Sequence, residues 1–489
     1  MAKTASRSQR HGPNDGWVFF GLLALLIWAP LPLGSNRLWA IGLLQVAACA
    51  LVLGTLWVWR EHLPAAMEQL HKFRWPAGLL TCMVLISWLQ ITPLPVEWLH
   101  LLSPKVGEML QPTVAQTVSI DVFQSQSMAA LSFCYLAIFL VAVMTVRESA
   151  RLDRLAQVLV FSGVMQAVLG AVLFSLKAEY RLFYSNVSHT RMIGSFVSPN
   201  NMAGYLCMCL SIGIGLMLAR LGRGEERTAK HWKTHVVGAI AFMLSPKMRL
   251  RLLLIVMVIG LVLTRSRMGN AALFISMVAV GLIAVIKARQ TAPQTIALIV
   301  SLIVIDVLVV GTWVGLEKVV ERIQQTELTV ADGGKSESVE ARTEAARTSL
   351  PIVSDFPILG TGGGTFYNIF LSYRTPSYGY TYVDHTHNDF VEIATDYGLV
   401  GLGILGVLVA STLVTVVQVM GRRKSRLPWG IAFGVAMSIV ALLFHSTVDF
   451  NLQIPSNALT MVVILAMGWI ASVLPSPKGG QKSTRSASQ

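Results

Sequence analysis

Residues 384–402 read D-H-T-H-N-D-F-V-E-I-A-T-D-Y-G-L-V-G-L, and the fold turns on how that stretch is read. Its first thirteen residues hold two histidines, one asparagine and four carboxylates. From Gly398 onward it runs into an apolar segment long enough to cross a bilayer. Ionisable groups packed at the mouth of such a span are costly to keep there and are as a rule functional. The stretch therefore predicts a membrane-spanning helix with chemistry at its polar end.

The rest of the chain agrees. It has 489 residues, 54% of them hydrophobic and only 13% charged, with a mean hydropathy of +0.61. A soluble domain would be about a quarter charged. Twelve apolar windows read as spanning helices: 17–33, 38–58, 76–92, 127–146, 155–175, 200–219, 252–264, 269–286, 294–312, 398–418, 429–444 and 456–474. The expected fold class is all-α, polytopic and without internal repeats. The shorter run 236–245 is expected to be interfacial or re-entrant. The first span is followed by another span rather than by a small-residue cleavage site, so it is expected to stay as an anchor. Cys49, Cys82, Cys134, Cys207 and Cys209 all fall inside apolar runs, which argues against disulfides and against a thiolate metal site.

Charge sets the orientation. With the N-terminus inside, twice as many of the 39 Lys and Arg fall on inner as on outer segments. Both termini are then expected in the cytoplasm. The net charge of +14 becomes positive-inside sorting against membrane lipids, not a nucleic-acid footprint, and Arg422, Arg423 and Lys424 a stop-transfer anchor. The predicted organisation is a cytoplasmic tail 1–16, nine helices over 17–312, a large outer loop 313–397, three helices over 398–474 and a low-complexity tail 475–489 expected to be disordered.

The outer loop has internal order. Ser336–Leu350 is rich in helix formers with acids early and Arg342 and Arg347 late, which suits a helix dipole, and Pro351 is expected to end it. A solvated helix with Glu340 and Glu344 paired to the arginines accounts for it equally well. The turn F-P-I-L-G-T-G-G-G-T-F (356–366) lacks the G-K-[ST] of a nucleotide loop. Its glycines are expected to let backbone N–H groups, or a close-packed turn, sit against a ligand or another segment.

His385 and His387 leave three readings open. One is a metal site, weakened because two histidines two positions apart on a helix point roughly 200° apart. Another is a helix start with Asp384 or Thr386 at the cap. The third is a general base, since an unperturbed histidine titrates at about 6.5. Arg191, Arg265, Arg267, Arg342 and Arg347 all fall on the same outer face, and arginine suits bidentate phosphate recognition. Arg267 interrupts L-V-L-T-R-S-R-M-G-N-A-A-L (261–273), where a cation needs a partner. A diphosphate at the bilayer surface would serve; snorkelling to headgroups is the plainer account.

Five segments in order, G-S-F-V-S-P-N-N-M-A-G-Y-L (194–206), L-T-R-S-R-M-G (263–269), A-R-T-E-A-A-R (341–347), P-I-L-G-T-G-G-G-T-F (357–366) and H-T-H-N-D-F-V-E-I-A-T-D-Y-G-L-V-G-L (385–402), resemble the O-antigen ligase / O-antigen polymerase superfamily. The resemblance covers about 194–455. It implies a GT-C-type helical fold in the bacterial inner membrane and a periplasmic active site. It also implies metal-independent, inverting transfer of an undecaprenyl-diphosphate-linked glycan without a cofactor. The family's histidine before asparagine falls on His387 as catalytic base, and its Ser-Arg arginine on Arg267. Its Arg-x-x-x-Trp arginine falls on Arg342, but Ala346 stands in the Trp position, which leaves Arg342 and Arg347 open as diphosphate ligands beside Arg265 and Arg191. H-S-T-V-D-F (445–450) looks like a feature of exopolysaccharide members. His385, Asn388, Glu392, His445 and Asp449 are the expected supporting residues.

The acceptor glycan is expected to be a lipid-linked repeat unit, which makes a polymerase. A lipid A–core acceptor, making a ligase, is the alternative. A flippase and a chain-length regulator are the expected protein partners, and no nucleic acid. A transporter of lipid-linked or polysaccharide substrate is the alternative of another class. It would place ionisable groups at mid-membrane, where Asp306 is the main candidate.

Overall fold

A bilayer offers no partner for peptide groups, so apolar runs of this length must satisfy their own backbone as helices. The computed structural model describes residues 13–109, 116–181, 184–185, 190–220, 246–287, 339–375, 383–423 and 425–475. In chain order its helices are α1 (Gly16–Trp28), α2 (Leu38–Trp59), α3 (Leu63–His71), α4 (Arg74–Ile91), α5 (Val96–Leu102), α6 (Pro104–Met109), α7 (Val122–Thr145), α8 (Ser149–Ser175), α9 (Pro199–Arg220), α10 (Pro246–Leu263), α11 (Arg267–Lys287), α12 (Val339–Asp355), α13 (Phe366–Tyr373), α14 (Asp389–Arg422), α15 (Arg426–His445) and α16 (Pro455–Val473). Helices occupy eleven of the twelve predicted spans. The twelfth, 294–312 with Asp306, lies outside the described residues, as do the run 236–245, the loop before Val339 and residues 1–12 and 476–489. Eight of the described helices are long and apolar enough to cross a membrane. Tyr180–Arg181 and Tyr184–Ser185 form a small antiparallel ladder.

The bundle is built around α9, whose membrane-length window is wholly buried, whereas α2 and α14 leave most of theirs uncovered. A helix that is apolar all round belongs in the centre. It lies closest to α15. A Cβ on Gly215 would collide with the Gly430 carbonyl, and one on Gly434 with the Ser211 carbonyl. Small residues at such spacing let two backbones approach. Ser438 Oγ then donates across to the Met208 carbonyl at 3.3 Å.

One end of the bundle is tied by charge. Asp15, buried ahead of α1, pairs with Arg147 at 3.0 Å and Arg151 at 2.6 Å. Arg220 at the end of α9 pairs with Asp153 on α8 at 3.1 Å. Arg423 donates to the carbonyl of Ser472 in the last turn of α16 and to that of Leu474 just past its end, the latter at 2.6 Å. The other end carries a second, smaller core in which Leu99, Val106, Ile352, Phe356, Phe366 and Phe370 meet.

Two expectations need correcting. Pro351 does not end α12; the helix runs four residues further, to Asp355. A proline inside a helix costs about 3 kcal/mol. Continuing brings Ile352 and Phe356 into the second core, each at most 1% exposed, and burying such side chains returns about 1.5–3 kcal/mol apiece. The span expected to start at 398 instead belongs to a helix that starts at Asp389 and breaks at Gly398, where φ is 68° and ψ −177°.

The glycine turn fills that break. Thr361 N donates to the Thr395 carbonyl at 2.8 Å and Gly362 N to that of Asp396 at 3.0 Å. Leu399 N returns a bond to the Pro357 carbonyl at 2.8 Å. Gly364 N reaches the Asp396 carboxylate at 2.8 Å. Gln90, from the end of α4, bonds the Leu359 and Asp396 carbonyls. The turn therefore meets another segment, as one of its two expected uses had it.

An alanine at 398 would force a side chain into a backbone conformation that only glycine occupies, and into the Ile358 carbonyl. Gly398→Ala is expected to lose at least about 1–3 kcal/mol, seen as a lower melting temperature in detergent. Gly403→Ala, where nothing lies within 4 Å of the new methyl group, is expected to lose nothing.

Candidate active site

Asn388, not Asp384 or Thr386, caps α14. Its side-chain oxygen accepts from the Phe390 and Val391 N–H groups at 3.0 and 3.2 Å, and its amide donates to the Thr447 carbonyl at 2.9 Å. Thr386 misses the cap position but supports it, its hydroxyl accepting from Asn388 N at 3.1 Å. Asp389, fully buried in the first turn, accepts from Ser446 Oγ and from Leu452 N at 3.1 Å. Its own N–H donates to the Ser446 carbonyl at 3.0 Å. The start of α14 is thereby stitched to the H-S-T-V-D-F segment that follows α15.

Both histidines precede the helix, so the opposed directions expected of helical neighbours do not arise. The chain turns at His387, whose φ is 54°. Both rings then meet Phe450. His385 stacks on it at 4.1 Å between centroids, and His387 meets it edge-on at 5.1 Å.

Arg342 comes to the same place from α12. Its guanidinium lies 3.3 Å from Asp449 and its side chain is 15% exposed. It does not pair with Glu344; the carboxylate it uses is 107 residues away. Arg347 is exposed and has no ion-pair partner among the described residues. His445 is buried, with Nε2 3.9 Å from Asp449. Phe450 N donates to the other Asp449 oxygen at 3.0 Å. Three groups retain unused hydrogen-bonding capacity here. His387 Nδ1, Arg342 Nε and both His445 ring nitrogens are buried without a hydrogen-bond partner among the described residues.

The two histidines titrate in opposite directions. Burial lowers the pKa of His387; Asp449 and Asp384 oppose that, and Arg342 and His385 reinforce it. Burial acts the same way on His385, but the Glu392 carboxylate, 2.6 Å from Nδ1, overrides it and lifts that imidazole to about 9. At neutral pH His387 is the neutral ring and His385 the charged one. Among the described residues, no three His, Cys, Asp or Glu side chains are gathered to hold a metal ion.

Arg265 and Arg267 lie at the hairpin between α10 and α11, exposed and without an ion pair among the described residues. Arg191 braces that hairpin, donating to the Thr264 carbonyl at 3.2 Å and to Asn200 at 3.0 Å. The hairpin shares the cluster's end of the bundle. A Cβ on Gly269 of α11 would lie 2.6 Å from Ala203 of α9, and one on Gly204 would strike Asn451, next to Phe450. No described contact joins Arg265 or Arg267 to His387. Phe450 is not picked out by the sequence, where its only signal is membership of the H-S-T-V-D-F motif at the end of α15.

No curated protein matches the chain. Residues 252–406 match the sequence model of the family described as O-antigen ligase, a stretch that holds Arg265, Arg267, Arg342, the glycine turn and the H-T-H-N segment. That match supports assigning the chain to the O-antigen ligase / O-antigen polymerase superfamily of membrane enzymes that transfer glycans.

Proposed function

We propose that this protein is a polymerase that joins lipid-diphosphate-linked glycan units at the membrane surface. The observation that carries the reading is the neutral His387 ring beside the Arg342–Asp449 pair, with His387 Nδ1 and Arg342 Nε both buried and unpartnered among the described residues. Buried polar atoms are nearly always bonded, so capacity left open in one cluster belongs to something that binds there.

His387 takes the proton of the acceptor sugar hydroxyl. The oxygen attacks the anomeric carbon of the donor glycan from the face opposite the diphosphate. The carbon–oxygen bond to phosphate breaks, and undecaprenyl diphosphate leaves with the bonding electrons. Arg342 faces the developing charge, and Arg265 and Arg267 meet the diphosphate from the hairpin. Guanidinium groups can do this neutralising without a metal ion, and the displacement inverts the anomeric centre.

The test is purified protein in detergent with a synthetic undecaprenyl-diphosphate repeat unit and EDTA. A ladder of longer lipid-linked glycans is expected. Transfer only after lipid A–core is added would make the protein a ligase instead, and no transfer to either acceptor would overturn the reading.

His387→Ala is expected to abolish product while the protein still accumulates in the membrane; a fully active variant would remove His387 as base. Arg342→Ala and Arg267→Ala are each expected to lower the rate on the order of a hundredfold, and Arg347→Ala to leave most of it. Because burial lowers the pKa of His387, the base stays neutral below the ordinary histidine value. The acid limb of the rate profile is therefore expected below pH 6.5, and a limb above it would contradict the assignment.

A further inference from the structure

Among the described residues no hydrogen bond holds the His387 ring, whose Nδ1 is buried. Its place is set by the turn it stands in and by the Phe450 edge. That turn has a left-handed φ of 54° at a residue with a side chain, a conformation kept only where the neighbours over-determine it. On one side the neighbour is Asn388, fixed as the helix cap. On the other are Thr386 and His385, and both are held by Glu392.

Glu392 lies one turn into α14 and is 2% exposed. One oxygen accepts from His385 Nδ1 at 2.6 Å. The other accepts from Thr386 N at 2.9 Å and Thr386 Oγ1 at 3.2 Å. Glu392 thus reaches His387 by two routes. The first is the backbone of Thr386. The second is the His385 ring, stacked on the same Phe450 that His387 touches.

We propose that Glu392, acting through His385 and Thr386, is the positioning residue for His387, an inference that rests on the transfer reaction proposed above. The carboxylate clamps the turn and the aromatic wall against which the proton-accepting ring lies. Titratable and charged groups surround this clamp: Asp384, Asp389 and Asp396 from its own segment, Asp449 and His445 from the segment at the end of α15, and Arg342 from α12. The clamp is charge-assisted while His385 keeps its proton, so it loosens as pH rises through about 9.

Glu392→Gln keeps the length of the side chain and removes the charge. With the lipid-linked donor, its kcat at neutral pH is expected to fall on the order of tenfold to a hundredfold, because the base is displaced rather than lost. KM is expected to stay close to that of the unaltered protein. The alkaline limb should move from about 9 toward 6.5, the ordinary histidine value. A side chain that only stabilised the fold would not move that limb.

His385→Gln is expected to give the same loss of kcat and to remove the limb, and it carries the test if Glu392→Gln does not accumulate. NMR of histidine-labelled protein supplies a readout that needs no activity: the His387 ring resonance should shift in both variants. Unchanged kcat and an unmoved alkaline limb, or an unshifted His387 resonance in a folded variant, would overturn the positioning role. An unaltered protein that transfers no glycan would instead overturn the reaction, while the His387 resonance still decides the clamp.

Discussion

At Gly398 a helix stops and restarts inside the protein, and the peptide groups it releases have to be satisfied by the chain itself. The glycine turn does this with its backbone, because only residues without side chains can lie flat against another main chain. The contact fixes more than one helix. Through Gln90 it holds the end of α4, and through the Ser125 hydroxyl, which donates to the Gly363 carbonyl at 3.0 Å, it holds the start of α7. On its near side the turn continues from α12, which carries Arg342. On its far side it grips the segment of α14 that begins just after His387. This backbone-to-backbone joint therefore helps set the distance between those two side chains, together with the bonds that Arg342 and the residues just after His387 make to the segment after α15.

Charge is handled differently at the two ends of the bundle. Around Asp15 the pairs close on themselves, with two arginines sharing one buried carboxylate. A buried ion left single would be strongly destabilising, and these are not single. At the other end the cations stay open. Arg265 and Arg267 are exposed and without an ion pair among the described residues, whereas both arginines at Asp15 are paired. Under the proposed reaction this asymmetry is the expected one, because arginines that must meet a diphosphate cannot be saturated by the protein.

The spans were legible because hydropathy over some twenty residues is a local property, and the bilayer imposes one backbone solution on it. The glycine turn was legible in part: three consecutive glycines with no phosphate-loop lysine point to a close main-chain approach, but not to whether a ligand or another segment fills it. What sequence could not supply was contact over long separations. Whether Arg342 or Arg347 turns toward the cluster depends on Asp449, more than a hundred residues on. The shared Phe450 wall depends on a residue 63 positions beyond His387. The cap was misplaced by short range alone. Thr386 and Asn388 are both good caps, and the interaction that decides between them is the bond from Asn388 to Thr447.

Pro351 and His387 show two ways in which surroundings override a local rule. At Pro351 the helix continues because two buried side chains beyond it offset the cost of the ring. At His387 a residue that prefers ordinary backbone is held left-handed because both flanks are fixed elsewhere. The consequence is that two histidines two residues apart come to rest against one aromatic ring, yet in opposite electrostatic settings. Glu392 keeps His385 charged, whereas burial, with Arg342 and His385 adding to it, keeps His387 neutral. Pairs of titratable groups whose environments push them apart divide the work of acid and base between them. Under the proposed reaction, that division gives the proton to His387. It leaves His385 as the charged partner that makes His387 harder to protonate while Glu392 holds both in place.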